Sequence, residues 1–213
     1  MKSSIRGFSL VEVMVTIGIF SILATITYTS YPSANNIIAF SMSSQEFIAR
    51  IRNAQIYGAS SGGNYKGSGI FLQTDSSNIV NKNVIEYLDA TTTMTALGVY
   101  DSNKYYDDQL SSDPDKIAVN KVIDNGVFVN RLCVKNYSSA TPYCGSAKLS
   151  IAFIRPDTQA NITDYSEQVV GIKSFFDIGY VELKAPYAKA GSDIKCIQIF
   201  KNGQVSIIND VCN

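Results

Sequence analysis

From Phe8 to Tyr31 the chain is apolar or carries small hydroxyl residues, and Glu12 is the only charge among these 24 positions. A helix of about 20 such residues spans a bilayer. Lys2 and Arg6 precede the run with no acidic residue beside them, so the positive-inside rule places the short N-terminus in the cytoplasm and everything after Tyr31 outside. A secretory signal shares the basic start and the apolar run, but it is cut after the run, behind small residues. No such site is evident in the Tyr-Thr-Ser-Tyr-Pro sequence that ends here at Pro32, so the run is kept. A plain single-span anchor gives no reason for a carboxylate near one end of the span. A charge in hydrocarbon costs about 2.5 kcal/mol or more at the helix centre and normally signals a partner.

The residues around that carboxylate, Arg6-Gly7-Phe8-Ser9-Leu10-Val11-Glu12, resemble the prepilin cleavage and methylation motif of type IV pilins and type II secretion pseudopilins. The resemblance implies cutting between Gly7 and Phe8 by the membrane-embedded prepilin peptidase, then N-methylation of Phe8. Glu12 becomes fifth in the mature chain, where the family has its glutamate. Filament-tip subunits of the family tend to lack this residue, which argues against an obligatory tip position. Cleavage exposes an α-amino group near the membrane, and a carboxylate one helical turn along a neighbouring subunit can neutralise it when helices bundle. The attraction is strong in low dielectric, yet desolvation offsets much of it, so the pair sets register more securely than stability. The alternative is that Glu12 simply snorkels to the interface.

With 213 residues, 46% of them apolar, the chain is sized for one globular domain plus an extra element. Residues 1–7 read as a leader, 8–31 as the membrane or filament-core helix, 32–58 as its amphipathic continuation and 59–213 as an extracytoplasmic β-rich head. Eighteen basic and eighteen acidic residues cancel, and loss of Lys2 and Arg6 with the leader leaves sixteen against eighteen. That balance supplies no long-range attraction to nucleic acid or anionic lipid. Histidine is absent, which rules out Ser-His-Asp and Cys-His sites within this chain. Cys133, Cys144, Cys196 and Cys212 all lie far beyond the span, and an even count there suggests disulfides in an oxidising compartment. Of the three possible pairings, Cys133 with Cys144 and Cys196 with Cys212 is favoured, because each pair brackets a short loop or hairpin. Zinc competes, but there is no CxxC spacing and no histidine.

Pro32 should kink or locally open the helix just past the span. Beyond it Ile37, Phe40, Ser44, Phe47, Ile51 and Ala54 recur at the steps of three and four that line one helix face. One long helix therefore continues to about Gly58, with Glu46 and Arg50 as an i,i+4 pair on its surface. After Ser60-Ser61-Gly62-Gly63-Asn64 the chain changes to short β-rich stretches: 69–73, 84–88, 127–134, 149–154, 180–183, 194–200 and 204–208. Asn202-Gly203 between the last two is the strongest hairpin signal, and Tyr100 to Lys116 reads as a surface loop. The expected class is α+β: a long N-terminal helix packed on a mostly antiparallel sheet, which is also the pilin architecture. Phe47-Ile48-Ala49-Arg50-Ile51-Arg52-Asn53-Ala54, Leu149-Ser150-Ile151-Ala152-Phe153-Ile154-Arg155-Pro156 and Ile197-Gln198-Ile199-Phe200-Lys201-Asn202-Gly203-Gln204-Val205 resemble the GspH/FimT branch of pseudopilins and minor pilins.

Other chemistry competes with ordinary surface roles. Asp101, Asp107, Asp108, Asp113 and Asp115 crowd one loop that could bind calcium, although the spacing fits no EF-hand. DNA-binding minor pilins of the FimT type carry a Gly-Arg-x-Arg-like motif. Here that turn reads Gly203-Gln204-Val205-Ser206, without either arginine, and only the scattered Lys184, Lys189, Lys195 and Lys201 could replace it. Tyrosines at 100, 105, 106, 137, 143, 165, 180 and 187 could serve adhesion, but are more simply half-buried sheet residues. No carboxylate pair suggests a hydrolase, and there is no Walker-type phosphate loop. The reading is a non-enzymatic filament subunit without cofactor or metal, a minor pilin or pseudopilin in the inner membrane with its head outside the cytoplasm. Its partners would be other pilin or pseudopilin subunits, the prepilin peptidase, the inner-membrane assembly platform and the membrane, with nucleic acid the alternative partner of a DNA-uptake pilin.

Overall fold

A computed structural model describes residues 8–60, 65–74, 83–90, 119–146, 148–154, 159–164, 175–187 and 193–212. Helix α1 runs from Leu10 to Ser60 as one element of 51 residues, about 75 Å long at 1.5 Å per residue. It continues through position 32 without ending at the proline and stops two residues beyond the expected Gly58. Glu46 and Arg50 form the surface pair at 2.6 Å, and Arg50 also reaches Glu86 at 3.7 Å.

The head contains eleven strands among the described residues, and its chain crosses repeatedly between two sheets. The strands are β1 (Tyr65–Gln73), β2 (Asn83–Ala90), β3 (Val119–Val122), β4 (Phe128–Lys135), β5 (Tyr143–Ser146), β6 (Lys148–Ile154), β7 (Ala160–Asp164), β8 (Phe175–Phe176), β9 (Ile178–Lys184), β10 (Ile194–Phe200) and β11 (Val205–Ile208). One sheet has the order β3-β2-β1-β6-β7-β8 and the other β11-β10-β9-β4-β5. Every pairing is antiparallel. The single sheet expected from the sequence is thus two, and β3, β5, β7 and β8 are additional to the seven expected strands. The segment Tyr100 to Lys116, expected to be a surface loop, lies with its aspartates outside the described residues.

Side-chain alternation explains how one core serves both sheets. In β4, β9 and β10, Leu132, Val134, Val181, Leu183, Ile197 and Ile199 face inward, joining Ile70, Leu72, Leu149, Ile151 and Phe153 of the first sheet. Phe40, Phe47, Ile48, Ile51 and Ala54 of α1 complete the cluster. Burying each large side chain contributes about 1.5–3 kcal/mol. Ile37, expected on the same helix face, is instead 52% exposed. It falls one turn short of Phe40, where core packing begins.

Beyond the core packing and the Arg50–Glu86 pair, further contacts hold the helix on the head at three levels along its length. Towards the N-terminal end of its packed part, Asn36 Nδ2 donates to the Tyr187 carbonyl at 3.3 Å, and the Lys195 ammonium sits 4.9 Å above the Phe40 ring. Next, Ser43 Oγ donates to the Asp124 carbonyl at 3.2 Å while Asn125 Nδ2 donates to Ser43 Oγ at 2.9 Å. Asp124 opens the turn that carries the chain from β3 into β4. Its central residues Asn125 and Gly126 have φ of 60° and 70°, the left-handed pair that an Asn-Gly hairpin turn requires. At the far end, a Cβ on Gly58 would stand 2.4 Å from the Phe153 carbonyl oxygen, so only glycine lets α1 lie this close to β6. The Asn202-Gly203 turn between β10 and β11 forms as expected, with Gly203 at φ 83°.

The opposite face of the second sheet holds the cysteines. Cys133 is joined to Cys144 and Cys196 to Cys212, with Cα separations of 4.1 and 5.2 Å. Both bonds pack with Ile178, Tyr180 and Phe200 in a small cluster separate from the main core.

Candidate functional site

The beginning of α1 is organised by a reciprocal cap. Ser9 is the last residue before the helix; its Oγ accepts the Glu12 backbone N–H at 3.2 Å, while Glu12 Oε2 accepts the Ser9 N–H at 3.0 Å. The Val13 N–H reaches the Ser9 carbonyl at 3.3 Å as the first intrahelical bond. This Ser-x-x-Glu box satisfies donors that a helix start otherwise leaves open, and it puts negative charge at the positive end of the helix dipole. Glu12 Oε1 makes no hydrogen bond among the described residues.

Residues Leu10–Tyr28 form a stretch long and apolar enough to cross a membrane, and none of it is buried within the molecule. Its hydroxyls do not interrupt that surface. Thr16 donates to the Val13 carbonyl at 2.9 Å, Ser21 to Ile17 and Thr25 to Ser21 at 2.8 Å each. Thr27 shares its proton between Leu23 and Ala24, at 3.0 Å from each carbonyl. With these hydroxyls bonded along the helix, lipid or other apolar helices can cover them without leaving a hydroxyl donor unmet, and the Glu12 carboxylate is the polar group of the segment that still calls for a partner. The apolar surface also extends past the span. Ile38, Met42 and Ile56 are all exposed and lie on one stripe with Gln45, Ala49 and Arg52 between them.

Phe8 stands exposed just before the cap, four residues from Glu12; Gly7 lies outside the described residues. The four cysteines occupy the outer face of the head, away from this segment. Neither Ser9 nor the clamp around Glu182 was identified from sequence. Ser9 had a signal, since Ser-x-x-Glu before an apolar run is a helix-start pattern. Glu182 had none, because its partners are set by strand register. It is 2% exposed, accepts from Asn130 Nδ2 on one oxygen, and accepts from Arg131 Nη2 at 2.8 Å and the Cys212 N–H at 3.3 Å on the other.

Among the described residues, Lys184 and Lys195 lie at one end of β10 and Lys201 at the other. Lys201 lies 3.7 Å from Asp177, whereas Lys195 is about 20 Å away at the other end of β10 by strand rise, and burial lowers its pKa below the usual lysine value. Lys184 pairs with Ile194, at the Lys195 end, and Lys189 lies outside the described residues. Burial raises the pKa of Tyr180 and Tyr187, while Tyr137 and Tyr143 are exposed. Tyr100, Tyr105, Tyr106 and Tyr165 lie outside the described residues. Among the described residues no group of three His, Cys, Asp or Glu side chains is placed to hold a metal.

No curated protein and no solved structure matches the chain. Residues 2–28 match the family model described as the prokaryotic N-terminal methylation motif. Such a motif implies processing by a prepilin peptidase and assembly with other pilins, and with the apolar helix it indicates a membrane-anchored protein. The capped, exposed start of α1 therefore lies in a segment that matches the prokaryotic N-terminal methylation motif, a match that indicates the type IV pilin-like family.

Proposed function

We propose that the chain is a minor pilin or pseudopilin of the GspH/FimT branch, a structural subunit of a type IV pilus or type II secretion pseudopilus with no catalytic turnover. The observation that carries this reading is the methylation motif at the head of a helix whose first 19 membrane-length residues are unburied. Cleavage after Gly7 by the prepilin peptidase frees the Phe8 amino group, which is then methylated. Before assembly the helix rests in the inner membrane with the head outside the cytoplasm. During assembly at the inner-membrane platform, helix contacts replace lipid contacts. The exposed stripe through Ile38, Met42 and Ile56 extends the available contact above the bilayer.

Glu12 has a place in this scheme that does not compete with its cap. Oε2 is held by Ser9, which orients the carboxylate and leaves Oε1 to accept from the amino group of a neighbouring subunit. Opposite charges a few ångströms apart in low dielectric attract strongly, and desolvation limits the net gain. The pairing therefore fixes the axial stagger of adjacent helices. The test is to produce wild type and Glu12→Ala in cells with the full assembly machinery, then compare sheared filaments with membranes. The expected result is wild type in both fractions and the variant in membranes only. Equal recovery of both proteins in filaments would remove the role given to Glu12, and absence of wild type from any filament would overturn the subunit reading.

A further inference from the structure

The four cysteines lie close enough together that their pairing needs an explanation. They share one face of the β11-β10-β9-β4-β5 sheet, in one cluster with Ile178 and Tyr180. In the strand register Cys133 stands opposite Tyr180, and Cys196 stands opposite Glu182, which itself faces Arg131. The C-terminal segment after β11 returns across this face. It brings the Cys212 carbonyl oxygen within 3.9 Å of Cys144 Sγ, so a non-native partner is beside the cysteine that must find Cys196.

Chain entropy selects only weakly between these partners. Cys212 is 16 residues from Cys196 and 68 from Cys144. Loop closure scales as roughly the three-halves power of length, which favours the shorter loop by about ninefold. What distinguishes the native partner is the polar grip on Cys212. Glu182 Oε2 accepts the Cys212 N–H at 3.3 Å, and Arg131 Nη2 donates to the Cys212 carbonyl at 3.1 Å and to Glu182 Oε2 at 2.8 Å. The peptide groups on both sides of the Cys212 Cα are thereby held, and with them the direction of its Cβ–Sγ bond. Asn130 Nδ2 on the second oxygen of Glu182 holds the carboxylate from the other side.

We propose that the Glu182–Arg131 pair directs oxidative folding by docking the C-terminal segment before its disulfide closes, presenting Cys212 to Cys196 and withholding it from Cys144. In each closure two cysteine thiols lose two protons and two electrons to an external disulfide, which is reduced to a dithiol through a mixed-disulfide intermediate. The pair takes no part in that exchange; it sets which sulfurs meet. This role is independent of the filament function.

The experiment uses the full chain in detergent, reduced and unfolded in denaturant, then reoxidised in a glutathione redox buffer, acid-quenched and mapped by peptide mass spectrometry. Glu182→Ala and Glu182→Gln are compared with wild type and with Ile207→Ala, which alters the main-core side of the sheet and touches none of the clamp. Wild type and Ile207→Ala are expected to return the native pairs, while Glu182→Ala raises Cys144–Cys212 peptides at least tenfold. Glu182→Gln keeps the side-chain shape without the charge and falls between them. Native pairing in Glu182→Ala at the wild-type yield would overturn the proposal. So would equal mispairing in Glu182→Ala and Ile207→Ala, because pairing would then follow general stability and not the grip on Cys212.

Discussion

Gly58→Ala turns a helix-propensity gain into a loss. In an open helical site the change stabilises by about 1 kcal/mol, because alanine is the better helix former. At Gly58 the new methyl would stand 2.4 Å from the Phe153 carbonyl oxygen and 2.7 Å from the Phe153 Cβ. Neither atom can swing aside as a flexible side-chain end could. β6 is also held on both edges, by β1 and β7, and Gly67 of β1 approaches the same carbonyl, with 2.7 Å from its would-be Cβ. The helix end must therefore lift by several tenths of an ångström. Overpacking of this kind costs about 1–3 kcal/mol, and lifting the last turn also loosens Ala54 and Ile51 in the core. The expected net effect is a destabilisation of about 1–2 kcal/mol, or about 2–8 °C in Tm for a chain of this size. The assay is urea and thermal unfolding of the full chain in detergent, followed by circular dichroism, with Gly18→Ala as the comparison. A Cβ on Gly18 meets nothing within 4 Å, so that variant should not be destabilised. Stabilisation of Gly58→Ala by the full propensity gain would refute the packing described between α1 and β6.

Ser9→Ala removes one half of the capping box and should cost about 0.5–2 kcal/mol of local helix stability, seen as faster amide exchange from Leu10 to Val13 with the rest of the helix unchanged. Cys212→Ser opens a loop of 16 residues, worth about 3 kcal/mol in the chain-entropy account, and should speed proteolysis beyond Phe200; unchanged resistance would count against that bond as a support of the C-terminal segment. Burial raises the Tyr180 and Tyr187 pKa values above 10.0. The unfolded chain therefore releases these protons first as pH rises, and folded stability falls above pH 10. Tyr180→Phe should move the alkaline unfolding midpoint upward, and an unchanged midpoint would separate Tyr180 from that transition.

The membrane-length helix, its lone carboxylate and the amphipathic continuation were legible because each is a local pattern: an apolar run, a motif and a three-four repeat. Burial of Phe40, Phe47 and Ile51 follows that repeat. Ile37 departs from it because the pattern carries no information on where the head begins to cover the helix. The strongly apolar strands were readable for the same reason, whereas β5 and β7 are short and polar in part and are held by their neighbours. β8 has two residues and depends wholly on β7. Asn125-Gly126 carries the same turn chemistry as Asn202-Gly203, but it joins strands of different sheets, and no pair of flanking strands announced it. The neighbour-to-neighbour cysteine pairing could be chosen from loop length. Its polar clamp could not, because Arg131 and Glu182 meet only through the register of β4 and β9, and Cys212 reaches them from the segment after β11.

The central claim is that this N-terminus is processed into a filament-forming helix. Its most direct test is intact and N-terminal peptide mass spectrometry on membranes from cells that produce the full chain together with a prepilin peptidase. The account predicts loss of residues 1–7 and one methyl group on the Phe8 amine. An uncut Met1 terminus, or a cut beyond Tyr31, would contradict it.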